Sequence, residues 1–292
     1  GETLYEKLQI LLLRQQAGLA VDLNWLISQK KQTMFGSSYW GETNRRFWDN
    51  SIQNTLLAYQ ILRDKGGYKA ELDRITRYFL EQRKDGQWRN TYESSLILET
   101  ILPELITEGR KPEPPNLVLN KTETVKTFPF SKVIEPGKLS VDKKGNAPVY
   151  FTAYQQFQNS NPEKVSKDFT VKSSFIQNNT EVKNLKGGTT AYLKVEVEAR
   201  ADADYVMIEV PIPAGCSYEN KPQSYWGVET HREYFKHKTS IFCTKLKQGK
   251  YTFSIQLMPR YSGSYNLNPA KAEMMYFPVF YGREGMKKVA IN

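Results

Sequence analysis

Cysteine and histidine are scarce in this chain of 292 residues, which has two of each. The cysteines, Cys216 and Cys243, do not form a C-x-x-C pair, and His231 and His237 lack the i, i+4 spacing of a helical metal motif. Zinc and thiol-redox motifs are therefore not indicated, and we predict no metal site and no cofactor. Both cysteines fall within one predicted β domain, so a disulfide between them and two buried free thiols are both open.

Motifs of two large enzyme classes are also missing. The sequence has neither the G-x-S-x-G elbow of α/β-hydrolases nor the G-x-x-x-x-G-K loop that cradles phosphates. Asp202 and Asp204 form an acidic pair at the start of a predicted strand, where a solvated turn is the simpler role. We therefore predict no catalytic residues and a protein that is not an enzyme.

Long apolar runs are absent, since no stretch approaches the ~20 residues that a helix needs to cross a bilayer. The chain begins Gly1-Glu2-Thr3, with neither a methionine nor a basic leader. We therefore expect it to be a fragment of a longer protein.

Positive charge is unevenly distributed along the chain, whose formal net charge is +10. Residues 1–110 carry 15 Lys and Arg against 14 Asp and Glu, whereas residues 111–292 carry 26 against 17. A basic face can attract nucleic acid or anionic lipid. The lysines are scattered over strand and turn positions, however, where they also discourage edge-to-edge pairing of strands. We expect a solvated lysine surface and no nucleic-acid partner.

Residues 3–106 show the apolar spacing of helices. In the first predicted helix, Ile10 and Leu13 widen the apolar stripe, so we expect it to be buried nearly all round. Asp22 is placed to cap a second helix that runs through Lys31. A third helix is expected to end at Gly66-Gly67. The first stripe consists of Leu4, Leu8, Leu11 and Leu12, and the third of Trp48, Ile52, Leu56 and Tyr59.

Two further helices follow. The fourth carries Leu72, Ile75 and Phe79 and is expected to end near Asp85-Gly86. Asn90 is placed to cap the fifth, with Glu93 in the capping-box position, and Pro103 is expected to kink or end it. Its predicted inner face consists of Leu98, Ile101, Leu102 and Leu105.

A weak repeat of roughly 40–50 residues relates two of these helices. Trp40 and Trp88 each precede a helix, and the two helices end in similar apolar runs. The repeat favours part of an α/α toroid or solenoid, and two ordinary amphipathic hairpins are the alternative.

A proline-rich linker at residues 109–116 separates this region from a β region. A first β segment is predicted to reach about residue 158, with a hairpin signal at 137–142 and a strong strand at 149–157. The run Asn159–Pro162 then breaks the chain. We expect a final β domain from about residue 163 to the end.

The final domain is organised around residues 204–213, which carry apolar side chains on both faces and predict a strand between two layers. Residues 192–199 and 251–257 instead alternate apolar and polar side chains, as half-buried antiparallel strands do. Their inward residues are predicted to include Leu193, Val195, Phe253 and Ile255. The expected fold class is therefore α followed by an antiparallel β-sandwich.

Aromatic residues in one loop of this domain predict a contact surface. Tyr225, Trp226, Tyr234 and Phe235 are interleaved there with basic residues such as Arg232. Such a composition is typical of binding surfaces. A lid folded over the sandwich edge is the alternative.

Several of these segments resemble, in the same order, the C-terminal region of bacterial alpha-2-macroglobulin-like proteins. The carriers are residues 193–199, 204–215, 249–253 and 269–276, with the ending Tyr281-Gly282-Arg283. Upstream, residues 145–154 resemble the return half of the CUB-like domain. Residues 37–102 resemble the last helices of the thioester-type toroid, with Asp85-Gly86-Gln87-Trp88 as the best anchor.

The resemblance implies a protease trap of the bacterial cell envelope, periplasmic or surface-exposed. In such proteins a protease cuts a bait segment, the molecule rearranges, and the protease is caged. An internal Cys–Gln thioester captures it in many members. Neither Cys216 nor Cys243 has the Cys-x-x-Gln spacing, so no thioester is expected in this chain.

The expected domains are therefore residues 1–110 (toroid helices), 111–160 (CUB-like β segment) and 161–292 (macroglobulin-like sandwich). Expected partners are proteases, met through the full-length parent, and upstream domains of the same chain. Membrane contact is expected only through an upstream lipid anchor. Two alternatives stay open, a toroid enzyme such as a lyase or cyclase with a β accessory domain, and a glycan-binding or adhesion module.

Overall fold

The computed structural model describes residues 1–44, 46–83, 88–107, 113–145, 149–223 and 227–292. It divides into two compact units. The first consists of residues 1–31 and 36–155, and the second of residues 32–35 and 156–292. The anchor residues Asp85–Gln87 lie outside the described residues.

All the α-helices of the described residues lie in the first unit. They are α1 Leu4–Gln16, α2 Leu23–Ser28, α3 Ser51–Lys65, α4 Lys69–Glu81 and α5 Thr91–Thr107. Asp22 caps α2 as predicted, because its side chain accepts from Trp25 N, although the helix ends at Ser28 and not at Lys31. Gly66, with φ +76°, ends α3. None of these helices is both long and apolar enough to cross a membrane.

The predicted burial of α1 is wrong for two residues. Leu8 and Leu11 are buried, whereas Ile10 is 46% exposed and Leu13 is 63% exposed. The reason is that α1 packs mainly against α3, so only one of its faces meets other described residues.

The predicted inner face of α5 is right for Ile101 and wrong for Leu98 and Leu102, and the side chain of Leu105 lies outside the described part of the chain. Ile97 and Ile101 are buried, whereas Leu98 and Leu102 are 45% and 43% exposed. Because apolar residues occur around most of this helix, the sequence alone does not single out one face. The helix also continues through Pro103 rather than ending there.

The strands outside the sandwich are short, and the first of them ends at Gln32, which belongs to the second unit. In chain order, β1 is Lys31–Gln32, β2 Ser38–Tyr39, β3 Asn116–Leu119, β4 Glu123–Val125 and β5 Val141–Lys144. Strands β4, β3 and β5 form a sheet whose buried core is three residues, Leu117, Leu119 and Val125. The strong strand predicted at 149–157 is not formed, since these residues belong to no strand. A segment of strand-forming residues becomes a strand only when a neighbouring strand provides hydrogen-bond partners for its backbone.

Among the described residues, thirteen strands build the second unit, and the predicted antiparallel β-sandwich is confirmed. They are β6 Val165–Ser166, β7 Phe169–Gln177, β8 Thr180–Val182, β9 Ala191–Ala199, β10 Ala203–Pro211, β11 Cys216–Tyr218, β12 His231–Tyr234, β13 Lys238–Leu246, β14 Gly249–Pro259, β15 Gly263–Leu267, β16 Lys271–Met274, β17 Phe277–Arg283 and β18 Lys287–Ile291. One sheet has the order β12-β13-β10-β16-β17-β6 and the other β11-β14-β9-β7-β8, with β15 and β18 as a separate pair.

The core lies between the two large sheets. In β9 and β14 the alternation is as predicted, with Leu193, Val195 and Ile255 buried. The prediction for β10 needs correction, since Val206, Ile208 and Val210 are fully buried but Met207 and Glu209 are only half-buried. Strand β10 is central in its sheet yet has one fully covered face, because the second sheet lies on one side only.

Candidate contact surfaces

The predicted aromatic surface is only partly described, because Tyr225 and Trp226 lie outside the described residues. Phe235 is 41% exposed. Lys238 Nζ lies 5.7 Å from the centre of its ring, a cation–π arrangement. Phe235 is therefore a surface residue at the turn between β12 and β13.

Tyr234 faces the protein rather than solvent. Its hydroxyl donates to the carbonyl oxygen of Pro222 at 2.6 Å. Its ring meets that of Tyr218 nearly edge-on, with centroids 5.0 Å apart. The hydroxyl of Tyr218 in turn donates to the carbonyl oxygen of Phe235 at 2.8 Å. Tyr234 therefore holds the loop in place.

A buried ion pair fixes the same loop. Arg232 is 6% exposed and Glu229 is 8% exposed. Two parallel hydrogen bonds join them, Nε to Oε1 at 2.7 Å and Nη2 to Oε2 at 2.8 Å. Burial alone lowers the pKa of the guanidinium, but the hydrogen bonds from Arg232 to Glu229 and Tyr234 outweigh it and raise the pKa. Arg232 also donates to the carbonyl oxygen of Ser254 at 2.8 Å and so connects the loop to the second sheet.

The two cysteines are both free, Cys216 on β11 and Cys243 on β13. Burial raises the pKa of each thiol to about 12. A thiol with so high a pKa stays protonated at neutral pH and is a poor nucleophile and metal ligand.

The histidines have packing and strand-pairing roles. His231 stacks on Phe242 with ring centroids 5.9 Å apart, and its Nε2 lies 3.6 Å from Glu233 Oε1. The carbonyl oxygen of His237 accepts from the amide of Ile212. Within the described ranges, no group of three or more His, Cys, Asp or Glu residues is placed to hold a metal ion.

Lysines on the outer face of the six-stranded sheet are paired with acids. Glu209 contacts Lys238, and Lys271 Nζ lies 3.2 Å from Glu209 and 3.0 Å from Glu273. Burial raises the pKa of Glu209, but the two lysines outweigh it and lower the pKa overall. The positive charge of this face is therefore partly compensated where strands β13, β10 and β16 meet.

A third surface, absent from the sequence predictions, consists of Tyr205, Met275 and Tyr276, here called the Tyr205 patch. The three residues are 46%, 42% and 67% exposed. The rings of Tyr205 and Tyr276 meet edge-on with centroids 5.2 Å apart. The amide of Met275 donates to the carbonyl oxygen of Tyr205 at 2.8 Å, which fixes the turn between β16 and β17 against β10.

Tyr205 holds this position at a conformational cost. Its φ is +52°, in the left-handed region, although it lies within strand β10. For a bulky residue without special turn chemistry this conformation costs roughly 1–2 kcal/mol. Neighbours Asp204 and Val206 stay paired with β13, so the strain is confined to one residue. The Tyr205 ring therefore lies at the surface in spite of this cost.

One feature of the sequence points to the Tyr205 patch. Met275-Tyr276 forms an apolar turn between two strands, where polar and glycine residues are usual. The positive φ of Tyr205 had no sequence signal, because tyrosine favours ordinary strand geometry.

The comparisons with known proteins bear on this sandwich. Residues 157–278 match the family model described as the bacterial alpha-2-macroglobulin MG10 domain. These residues are therefore similar to an MG10 domain. The Tyr205 patch, the buried ion pair and both cysteines all lie within the matched range of the MG10 domain, and the predicted resemblance is confirmed. No curated protein matches the chain.

Solved bacterial alpha-2-macroglobulins are similar to most of the chain. Trypsin-activated alpha-2-macroglobulin from Escherichia coli is 12% identical, with a TM-score of 0.46, over 84% of this chain and 19% of that one. Salmonella alpha-2-macroglobulin reacted with methylamine is 14% identical, with a TM-score of 0.40, over 85% and 18%. Native E. coli alpha-2-macroglobulin from domain MG7 to the C-terminus is 11% identical, with a TM-score of 0.38, over 83% and 42%. The chain thus spans less than half the length of these proteins.

Proposed function

We propose that the chain is the non-catalytic C-terminal part of a bacterial alpha-2-macroglobulin-like inhibitor that traps proteases. The MG10 match over residues 157–278, most of the second unit, is the observation that carries this proposal. The parent meets proteases in the cell envelope, in the periplasm or at the surface. The present chain serves it as a scaffold and as a contact surface for upstream domains.

We assign residues 1–110 to toroid helices, 111–160 to a CUB-like segment and 161–292 to the macroglobulin-like sandwich. Apolar faces of the helices support the first assignment. Ile10 and Leu13 of α1, with Leu98 and Leu102 of α5, are each more than 40% exposed. Further helices of a larger toroid would cover such faces and gain their burial free energy.

The middle segment also looks incomplete in itself. Its three-stranded sheet has a buried core of three residues, and Phe151 and Tyr154 after it are 51% and 61% exposed. So small a sheet needs a second layer for stability. A β domain shared with another part of the parent would supply that layer.

The Tyr205 patch is the surface that we assign to an upstream domain of the parent. Aromatic and methionine side chains are enriched at the centres of protein interfaces. The patch is mounted on the central strand of a large sheet, so its geometry is fixed before contact, which lowers the entropy cost of binding. A contact of this kind can hold a resting state that cleavage of the parent then releases.

Substrate size tests the proposed function in the full-length parent. After incubation with trypsin, we expect the bound protease to cleave a small chromogenic peptide but not casein, because a cage excludes large substrates. Small-angle scattering should show a change of shape on the same time course. Equal inhibition of both substrates, or casein cleavage at the free-enzyme rate with an unchanged scattering profile, would contradict the proposal.

The patch is tested in the same assay by Tyr276→Ser, with Tyr261→Ser as the matched control. Tyr261 is 70% exposed, against 67% for Tyr276, and lies in the same unit. We expect the Tyr276 variant to change shape before protease is added, while the control behaves as the unmodified parent. An unaltered resting state in both variants would remove the patch from the proposal and leave the trap itself standing.

A further inference from the structure

A long segment without secondary structure joins two strands of the small sheet in the first unit. Strand β4 ends at Val125 and β5 begins at Val141, and residues 126–140 between them form neither helix nor strand. Every residue from 126 to 138 is exposed. Structureless loops longer than about 12 residues are uncommon in compact domains, and those that occur usually carry a function. The loop between β4 and β5 is therefore a candidate site.

The backbone of this loop is open to a partner. Among the described residues, no hydrogen bond reaches the amide or carbonyl groups of residues 126–138. Both ends are nevertheless fixed. Val125 is buried and pairs with Leu117, and Ser140 forms two hydrogen bonds with Asn120, at 2.9 and 3.0 Å. An endopeptidase binds its substrate as an extended strand through backbone groups of this kind, as other peptide-binding proteins do.

Lys132 is the middle residue of the segment 126–138. Its Nζ lies 2.6 Å from Glu123 Oε2, and the two side chains are 47% and 40% exposed. An ion pair so exposed contributes little to stability, so Lys132 can leave it readily. The specificity pocket of a trypsin-like protease holds an aspartate, so one carboxylate would replace another. Val133, on the other side of the peptide bond, is 97% exposed.

The other two lysines of the segment have less free backbone around them. Lys126 directly follows β4, so the residues before its peptide bond are held in a strand. Lys138 lies two residues before Ser140, whose amide and carbonyl groups both bond to Asn120. A protease requires free backbone on both sides of the bond that it cuts. Of these three lysines, Lys132 meets that requirement best.

We propose that the peptide bond between Lys132 and Val133 is a processing site for trypsin-like serine endopeptidases. Hydrolysis consumes one water, breaks the C–N bond, and leaves a carboxylate on Lys132 and an ammonium group on Val133. The two fragments stay together without this bond. Strand β3 of the first fragment pairs with β5 of the second, from Asn116 with Lys144 to Leu119 with Val141. Met34 of the first fragment also lies in the core of the sandwich.

Limited trypsin digestion of the 292-residue chain, followed by mass spectrometry of the fragments, tests this inference without the upstream domains that trapping would require. The internal reference is the bond after Lys236, an exposed lysine in the turn between β12 and β13. The amide of Phe235 donates to the carbonyl oxygen of Lys238 at 2.8 Å, so this turn must open before it is cut. We expect the Lys132 bond to be cut at least about a hundredfold faster. Equal rates would overturn the proposal.

Two substitutions locate the cut. Lys132→Gln should abolish the fragments 1–132 and 133–292, whereas Lys126→Gln, in the same segment, should leave their rate of formation within about twofold. Equal cutting after Lys126, Lys132 and Lys138 in the unmodified chain would overturn the assignment to the central bond.

The state of the cut chain is the last measurement. We expect the two fragments to elute as one species from a native sizing column and as two species in denaturing urea. Separation of the fragments under native conditions would overturn the proposal that the cut chain stays together.

Discussion

The helical unit and the sandwich use apolar residues in opposite ways. In the sandwich, Val206, Ile208 and Ile255 have no exposed surface, because two sheets cover them from both sides. In the helices, Ile10 and Leu13 lie on a face that no described element covers. The sandwich therefore contains its own source of stability, whereas the helices present apolar surface whose burial requires another partner.

The largest expected effect comes from Gly282 in β17. A Cβ at this position would lie 1.9 Å from the carbonyl oxygen of Phe169, a backbone atom that cannot move aside alone. Gly282→Ala should lower the free energy of unfolding of the sandwich by about 3 kcal/mol or more. Gly285→Ala is the matched control, since a Cβ there meets nothing within 4 Å. Urea unfolding measures the stability of both variants. An unchanged unfolding transition of the sandwich in Gly282→Ala would contradict this expectation.

Two truncations to alanine compare the buried core of the sandwich with the exposed face of α1. Ile208→Ala removes a fully buried side chain and should cost about 3 kcal/mol, within the range of core truncations. Leu13→Ala removes a side chain that is 63% exposed and should cost less than about 0.5 kcal/mol. Chemical denaturation followed by circular dichroism measures both. If the two costs were equal, the helical face would already be covered in solution and the comparison would fail.

The same contrast explains what the sequence could predict. Strands β9 and β14 alternate strictly, and a sheet with one buried face permits only one such pattern, so their inward residues were correct. Apolar residues surround most of α5, so the sequence did not choose between Ile97 and Leu98 for the core. Packing against specific neighbours decides which of the two residues is buried, and the spacing of apolar residues in the sequence does not show it.

Residues at the candidate surfaces were the hardest to predict. Phe235 was predicted and is exposed, while Tyr234 from the same motif turns inward because Pro222 offers its hydroxyl an acceptor. The sequence predicts only a strand at Tyr205, because a left-handed conformation of tyrosine depends on tertiary context. Residues 149–157 have the composition of a strand but do not form one, because strand formation depends on pairing as well as propensity.

The thiols test how well the sandwich excludes solvent. With pKa values of about 12, Cys216 and Cys243 are neutral at pH 8, and the folded chain should react with Ellman's reagent far more slowly than unfolded protein. Two thiols should titrate after unfolding, and none would if a disulfide had formed. Because the folded pKa values are raised, their contribution to stability is complete below pH ~8.5 and is lost as the pH rises towards 12. Fast reaction of the folded chain at pH 8 would mean that the sandwich opens more readily than the burial of its core implies.

The smallest expected effect on the free energy of unfolding comes from Tyr205, an exposed residue of the sandwich in a strained conformation. Asparagine tolerates the left-handed region, so Tyr205→Asn relieves strain while it removes one exposed ring pair, two changes of roughly 1 kcal/mol that oppose each other. The free energy of unfolding should therefore change by less than about 0.5 kcal/mol, against about 3 kcal/mol for Ile208→Ala in the same strand. A loss above about 1 kcal/mol would show that the ring stabilises the sheet. A neutral result leaves contact with another surface as the reason for a strained tyrosine, because folding then gains nothing from it.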